Sequence, residues 1–134
     1  AVQSAALRGA DVAARYREAI TLFAKQQYAE ARRGFQAVFD SDPQGDLADN
    51  ALFWIGETYY AAGDNNNALR FYRRVTAEFA DQNKAPDALL KSALTLERTG
   101  DLALARTALQ QVIERYPYSS SAATAKKELV RIRF

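Results

Sequence analysis

The chain has 134 residues, of which 49% are hydrophobic, and its 18 basic and 16 acidic side chains leave a formal net charge of +2. This length suits one packed domain and is short for two ordinary ones. The sequence contains no Cys, His or Met, which excludes disulfides, Cys or His zinc ligands and catalysis by Cys/His or Ser/His/Asp sets within this chain.

The beginning of the chain and its uncharged stretches bear on targeting. No stretch reaches the run of about 20 apolar residues that a membrane-spanning helix needs, so we expect no direct insertion into a membrane. The chain begins at Ala1 without a basic and apolar leader, which indicates a processed form or a piece of a longer protein.

Three copies of one pattern follow each other along the chain. The dipeptide Gly63-Asp64 recurs 37 residues later as Gly100-Asp101, and the same step backwards reaches Gln26-Gln27. Each copy has a small residue, then an alanine twelve positions later, a large apolar residue four positions further and a valine three positions after that. In chain order these are Ala19, Ala31, Phe35 and Val38; Gly56, Ala68, Tyr72 and Val75; and Ala93, Ala105, Leu109 and Val112. A fixed period of this length indicates stacked supersecondary units.

Each copy is predicted to form two antiparallel helices that touch at a close approach. In the second copy, apolar or small residues follow helical spacing at 52, 55, 56 and 59, and again at 68, 69, 72, 75 and 79. Gly63 is expected to end the first helix in a left-handed conformation, and Asp64 to cap the next one. Gly56 and Ala68 are predicted to let the two backbones approach each other. The first copy lacks the glycine at its turn.

This pattern resembles the tetratricopeptide repeat, W-x2-L-G-x2-Y…A-x3-F…P. The second copy matches it at the same spacings through Leu52, Ile55, Gly56, Tyr59, Ala68 and Tyr72. The first and third copies are degenerate but in register, ending at Pro43 and Pro117. The loops that connect consecutive repeats, 42–49 and 80–87, are rich in turn-forming residues. Their length explains why the period is 37 residues and not about 34.

The resemblance implies an all-α fold, a right-handed superhelix of three helix-turn-helix repeats plus a C-terminal capping helix. We place an N-terminal extension at 1–11, the repeats at about 12–48, 49–85 and 86–118, and the capping helix at 119–134. In that helix, Leu129 and Ile132 are predicted to cover the last repeat. The basic residues Lys126, Lys127, Arg131 and Arg133 are predicted to face water.

A narrower resemblance covers ALFWIGETYYAAGD and the stretch from APDALL to AKKEL. Both are similar to the C-terminal domain of the periplasmic accessory proteins of the Tol-Pal system (YbgF type), which coordinate cell division. The resemblance implies a non-enzymatic periplasmic adaptor that binds TolA and links outer-membrane constriction to the peptidoglycan synthesis machinery. It also implies a signal peptide and a trimerising coiled coil upstream of Ala1. The alternative is a generic tetratricopeptide module of another envelope or cytoplasmic assembly.

One helical face of each repeat is not needed for packing within its own hairpin. By the resemblance, this face lines the inside of the superhelix and binds a protein segment, with apolar residues supplying affinity and Asn50, Glu57, Asp87 and Arg98 setting register. The predicted groove consists of Tyr16, Ile20, Phe23, Asn50, Phe53, Trp54, Glu57, Tyr60, Asp87, Leu90, Leu94 and Arg98. The alternative is that its aromatic residues only pack on one another.

Individual residues within and beside this groove carry further expectations. Trp54 lies at the edge of the face, so it either packs against the preceding repeat or forms a groove wall. Tyr59 and Tyr72 are predicted to be core. Some tetratricopeptide domains clamp acidic tails with inner Lys, Arg and Asn residues; here Tyr16 and Leu90 stand on that face instead, which does not support such specificity.

The remaining motifs favour structural roles. The stretch 40–51 starts like a calcium loop but has Ala51 where a bidentate Glu is required, so we interpret it as an inter-repeat turn and expect no metal. A basic strip of Arg32, Arg33, Arg106 and residues 70–74 is interpreted as a solvated outer face and not a nucleic-acid site, because the net charge is small. Glu57 and Tyr60 lack a nucleophile, metal ligands or a phosphate loop, so neither an enzyme nor a cofactor is expected.

Overall fold

The fold is a row of helical hairpins. The computed structural model describes residues 9–132, which contain seven helices and no strand. They are α1 (Gly9–Ala24), α2 (Tyr28–Ser41), α3 (Ala48–Ala61), α4 (Asn65–Glu78), α5 (Ala85–Arg98), α6 (Leu102–Arg115) and α7 (Ser120–Arg131). Each helix packs against the next in chain order, and α7 also contacts α5. Within the described residues, no helix combines the length and apolar character required to cross a membrane.

Helix boundaries follow the repeat register. The second helices begin at Tyr28, Asn65 and Leu102, each 37 residues after the one before. The first helix begins at Gly9, inside the predicted extension 1–11, of which residues 1–8 lie outside the described part. The loop before α7, 116–119, has four residues, whereas the two earlier loops between hairpins have six. The start of α7 therefore follows the start of α5 by fewer residues than the 37-residue period predicts.

The turn inside each hairpin has one geometry in all three repeats. Gly63 and Gly100 have φ of 82° and 89°, and Gln26, at the equivalent position, has φ of 64°. The backbone N–H of Gly63 donates to the carbonyl of Tyr60, and that of Asp64 donates to the carbonyl of Tyr59. This paired arrangement satisfies carbonyls at the helix end and requires a left-handed residue. The turn without a glycine therefore forms in the same way.

Capping by the residue after the turn differs between repeats. Asp64 accepts a hydrogen bond from the backbone N–H of Asn67 at 3.2 Å, as predicted, and another from the Asn67 side chain. These hydrogen bonds lower the pKa of Asp64. The prediction does not extend to Asp101, whose carboxylate accepts from Thr99 Oγ1 and makes no side-chain cap.

The residues that define the repeat pattern form the core. The alanines and valines of all three copies are at most 1% exposed, and Phe35, Tyr72 and Leu109 are fully buried. These side chains fall into two clusters, one formed mainly by α1 to α4 and the other mainly by α5 to α7. Leu129 and Ile132 pack in the second cluster, which confirms their predicted role in covering the last repeat.

The loop 42–47, which connects the first two hairpins, contains a turn. In this turn the backbone N–H of Gly45 donates to the carbonyl of Asp42.

The close approach within the hairpins differs in detail from the prediction. A Cβ on Gly56 would lie 2.7 Å from the ring of Tyr72, so this glycine makes room for an aromatic ring of α4 and not simply for the backbone near Ala68. In the first hairpin, a Cβ on Gly34 would lie 2.9 Å from the Cβ of Ala19. Both distances are shorter than van der Waals contact permits.

The predicted basic strip is only partly solvated. Arg32 is half-buried; its guanidinium lies 3.6 Å from the ring centroid of Tyr59, and its Nε donates to Thr58 Oγ1 at 3.0 Å. Arg74 lies over the rings of Phe39 and Phe71. Tyr59, predicted as core, is likewise half-buried beneath Arg32. These arginines cover aromatic rings at the outside of the first two repeats, which the pattern of charges did not indicate.

We expect Gly56→Leu and Ala68→Leu each to lower the free energy of unfolding by about 1–3 kcal/mol, because neither site has room for a larger side chain. Ala77→Leu, at an exposed position of the same α4 helix, is the matched control and should change stability little. Urea denaturation measures all three. Unchanged unfolding midpoints for Gly56→Leu and Ala68→Leu would contradict the packing described above.

Backbone strain gives a second prediction. Gln26→Gly should raise the free energy of unfolding by about 0.5–1 kcal/mol, because it relieves a side chain in the left-handed region. Gly63→Ala should lower it by about 1–2 kcal/mol; no atom lies within 4 Å of the added methyl group, so that change tests the dihedral angle alone. Thermal unfolding of the pair should therefore give shifts of opposite sign.

Candidate functional site

The inner face runs along α1, α3 and α5, and the twelve residues of the predicted groove lie on these helices. A depression of about 430 Å³ opens between α3, α5 and α7. Three predicted residues, Tyr60, Leu94 and Arg98, line it. Glu97, Glu128 and Arg131 complete its wall. The structure thus brings one end of the predicted groove together with residues of the capping helix.

Aromatic rings at the α1 and α3 end of this face form one packed cluster. The ring centroid of Trp54 lies 5.1 Å from that of Phe23 and 5.9 Å from that of Phe35. Trp54 therefore packs against the preceding repeat while remaining half-buried. Phe53 is only 7% exposed, with its ring between those of Trp54 and Tyr72. Phe53 therefore packs beneath the inner face, and little of the surface of its ring is accessible to a partner.

Tyr16 and Asn50 meet between the first two repeats. Asn50 Nδ2 donates to the Tyr16 hydroxyl at 3.4 Å, and burial is the main cause that raises the pKa of Tyr16. The side-chain oxygen of Asn50 is buried and accepts no hydrogen bond from the described residues. Ile20 is half-buried nearby in the same core cluster.

Glu57 is held inside the protein by two partners. The Tyr72 hydroxyl donates to its Oε1 at 2.5 Å, and Lys91 Nζ of the next repeat lies 3.6 Å from the same oxygen. Burial, followed by the charge of Glu57, raises the pKa of Tyr72 well above its usual range. Glu57 thereby links α3, α4 and α5.

Tyr60 lies between two cations. Lys91 Nζ is 3.8 Å and the Arg98 guanidinium 3.6 Å from its ring centroid. Arg98 also donates to the carbonyl of Tyr60 and to Asn65 Oδ1, both at 2.8 Å. Arg98, predicted to set the register of a partner, thus bridges the third repeat to the α3–α4 turn.

The capping helix continues the inner face. Ser121 Oγ donates to Asp87 at 2.6 Å, and Lys84 pairs with the same carboxylate. Arg131 lies 2.6 Å from Glu97, and its Nε donates to Glu128; these bonds raise the pKa of Arg131. Arg131 faces water as predicted, since its side chain is 55% exposed, and it is also bonded to two carboxylates, which the charge pattern did not indicate. Arg133, of which the same was predicted, lies outside the described residues.

Several inner-face side chains retain exposed surface. Leu90 and Leu94 are half-buried, as are Tyr16, Phe23 and Tyr60. Among the described residues, no group of three or more acidic side chains is placed to hold a metal ion. The side chains of this face offer apolar contact and hydrogen bonding from paired charges.

Comparison with known proteins accounts for this geometry. Tetratricopeptide-repeat profiles match residues 16–83 and 87–119. The chain belongs to the tetratricopeptide-repeat family. Domains of this family present an extended concave surface for binding and typically serve as protein-binding scaffolds. None of the curated proteins compared with the chain matches its sequence.

Solved structures share the repeat array. The Yersinia enterocolitica type III secretion chaperone SycD, in complex with a peptide of the translocator YopD, has a TM-score of 0.79 at 19% identity, covering 93% of this chain and 94% of that one. The CopN–Scc3 complex gives 0.77 at 18% identity, covering 96% and 72%. The first tetratricopeptide domain of Spaghetti (RPAP3), bound to the HSP90 peptide SRMEEVD, gives 0.73 at 16% identity, covering 94% and 93%. At these identities the likeness establishes the superhelical fold alone.

The Glu57 hydrogen bond is open to a direct test. Tyr72→Phe should lower the free energy of unfolding by about 1.5–3 kcal/mol, because a buried hydroxyl bonded to a carboxylate is lost without creating a cavity. Tyr118→Phe removes a hydroxyl from a fully exposed side chain and should have no measurable effect. If chemical denaturation gave the two variants equal stability, the hydroxyl of Tyr72 would not be contributing as described.

Proposed function

We propose that this domain is an adaptor whose inner face binds a segment of another protein. The observation that carries the proposal is the depression between α3, α5 and α7, where the half-buried Tyr60 and Leu94 lie beside Arg98 and Arg131. Apolar surface flanked by charged groups is the usual composition of a binding site for a protein segment.

Paired charges on this face favour a partner held mainly by apolar contact. Glu57 is paired with Lys91, and Glu97 with Arg131, at distances of 3.6 and 2.6 Å. A partner carboxylate or ammonium group would have to compete with these existing pairs, whereas the exposed part of Leu94 has no such competition. The ring of Tyr60 offers the surface that Lys91 and Arg98 leave uncovered. We therefore place the anchor of the partner against Tyr60 and Leu94, with Leu90 and the edges of Tyr16 and Phe23 along the continuation of the face.

For the partner we propose TolA, and for the compartment the periplasm, on the strength of the Tol-Pal resemblance quoted above. In that role the domain would help to coordinate outer-membrane constriction with peptidoglycan synthesis, and would trimerise through a coiled coil that precedes it. A tetratricopeptide scaffold of another assembly is the second candidate, favoured by the fold shared with peptide-bound proteins of other systems.

Replacing Tyr60 and Leu94 together by alanine should weaken TolA binding at least about tenfold, because large apolar anchors dominate such interfaces. Tyr118→Ala, which removes an equally large but fully exposed ring, is the control and should bind normally. Isothermal titration with the periplasmic part of TolA gives the affinities, and thermal unfolding confirms that each variant is folded. Phe53→Ala is unsuitable, since emptying its buried site should cost about 3–5 kcal/mol of stability.

Two outcomes would count against different parts of the proposal. A folded double variant with unchanged affinity would remove the inner face as the binding site. An unmodified domain that fails to bind TolA would remove TolA as the partner and favour the second candidate.

A further inference from the structure

A second surface feature lies on the opposite face of α5 from Leu90, Leu94 and Arg98. It is a cleft of about 260 Å³ between α4, α5 and α6. We call it the outer cleft. Its floor includes Leu89, Leu96 and Ala108, each 6 or 7% exposed.

The equivalent junction one repeat earlier, between α2, α3 and α4, is filled by large side chains. They are Phe39, Ile55, Tyr59 and Phe71. The rings of Tyr59 and Phe71 stack with centroids 5.8 Å apart, and Arg74 lies over Phe71 and Phe39. The two junctions have the same helix order and differ in what fills them.

Adding 37 to each of those four positions gives small or shorter side chains in the outer cleft. They are Thr76, Ser92, Leu96 and Ala108. Three aromatic rings and one isoleucine are thus absent from the same place in the repeat. The core divides close to this point: Leu89 and Leu96 belong to the second cluster, whereas Tyr59 and Phe71 belong to the first. One repeat earlier, the side chains at these four positions fill the junction. In the outer cleft the side chains at the equivalent positions are smaller and leave it open.

Residues at the rim also break the repeat pattern. Leu104 is 56% exposed, and the equivalent residues of the first two repeats are the polar Glu30 and Asn67. An apolar rim above an apolar floor extends the surface that a partner could cover.

The charged residues that line the outer cleft are all basic. Arg73 and Arg115 line it, and no acidic residue does. Neither guanidinium pairs with a carboxylate in the described part of the chain. One repeat earlier, Gln36 and Glu78 take their places, so Arg73 and Arg115 have no basic counterparts at those two positions, and the arginines of that junction, Arg32 and Arg74, lie over its aromatic rings instead.

We propose that the outer cleft is a second docking site, which accepts a Phe or Leu side chain from an acidic segment of a partner protein. The apolar floor takes the side chain, while carboxylates on either side pair with Arg73 and Arg115. An apolar cavity of about 150 Å³ is enough to hold benzene, so the outer cleft has room for a phenyl group and adjacent main chain. This site is independent of the proposed inner-face function.

The probe is the peptide acetyl-Asp-Asp-Phe-Asp-Asp-amide, titrated into the isotope-labelled domain and followed by amide chemical shifts. We expect shifts concentrated at Ser92, Leu104 and Ala108 and a dissociation constant near 1 mM, as for a short single-anchor ligand. Peptides with Ala in place of Phe, or Lys in place of Asp, should bind at least about fivefold more weakly. The folded Tyr60/Leu94 double alanine variant should bind the probe normally.

Two variants of the outer cleft separate its shape from its charge. Ser92→Ile with Ala108→Phe restores two of the side chains that fill the earlier junction and should abolish binding. Arg73→Glu with Arg115→Glu keeps the floor and should reverse the preference, so that the Lys peptide binds more tightly than the Asp peptide. If the filled variant does not fold, the charge-reversed variant alone decides the question.

Three results of the peptide titrations would overturn the proposal. They are the absence of shifts at the outer cleft with the Phe peptide, equal binding of the Phe and Ala peptides, and unchanged binding by the charge-reversed variant. Shifts at these residues that instead depended on the concentration of the domain alone would assign the outer cleft to a second copy of this chain, also against the proposal.

Discussion

The structure depends on one steric condition: the first helix of each hairpin must leave space for a side chain or backbone of the second. In the second repeat, Gly56 leaves that space and the ring of Tyr72 occupies it. Because the ring is seated there, its hydroxyl reaches Glu57, the next residue of α3, and Glu57 in turn meets Lys91 of the third repeat. Packing inside one hairpin thus determines how the next hairpin is attached and where Tyr60, flanked by Lys91, lies on the inner face.

Local features of the fold could be predicted from the sequence because they repeat. The small, large apolar and valine positions at one period identified residues that are buried in all three copies, and Gly63 and Gly100 marked turns that need a left-handed residue. The Gln26 turn carried no such mark, since packing of the flanking helices imposes a conformation that glutamine does not favour. The pairing of Arg131 was missed for a different reason: it joins residues that are 34 apart, an offset that also joins Asn50 to Tyr16 and Lys91 to Glu57. That offset arises from how neighbouring repeats stack and not from the 37-residue period.

The candidate site was predictable as a face but not as a set of contacts. Helical periodicity grouped Tyr60, Leu94 and Arg98 on one face, and in the structure these three residues line one depression. It could not indicate that Glu57 and Arg98 are bonded within the protein, because their partners belong to other helices and depend on how adjacent repeats stack. Nor could it separate Phe53, whose ring is enclosed by Trp54 and Tyr72, from its more exposed neighbours.

The division of the core between the second and third repeats bears on how the domain opens. In repeat proteins each unit is stabilised by itself and by its neighbours only, so a junction with less apolar packing is where cooperativity is weakest. Here most buried residues of α5 to α7 form the second core cluster, and the outer cleft leaves the junction with α4 less filled by side chains than the junction one repeat earlier. We therefore expect residues 85–132 to behave as a foldon, a segment that exchanges its amide hydrogens through partial unfolding while the first two repeats stay closed. On the inner side this segment is joined to the first two repeats by the pair of Lys91 with Glu57 and by the hydrogen bond from Arg98 to the carbonyl of Tyr60, so opening must break both.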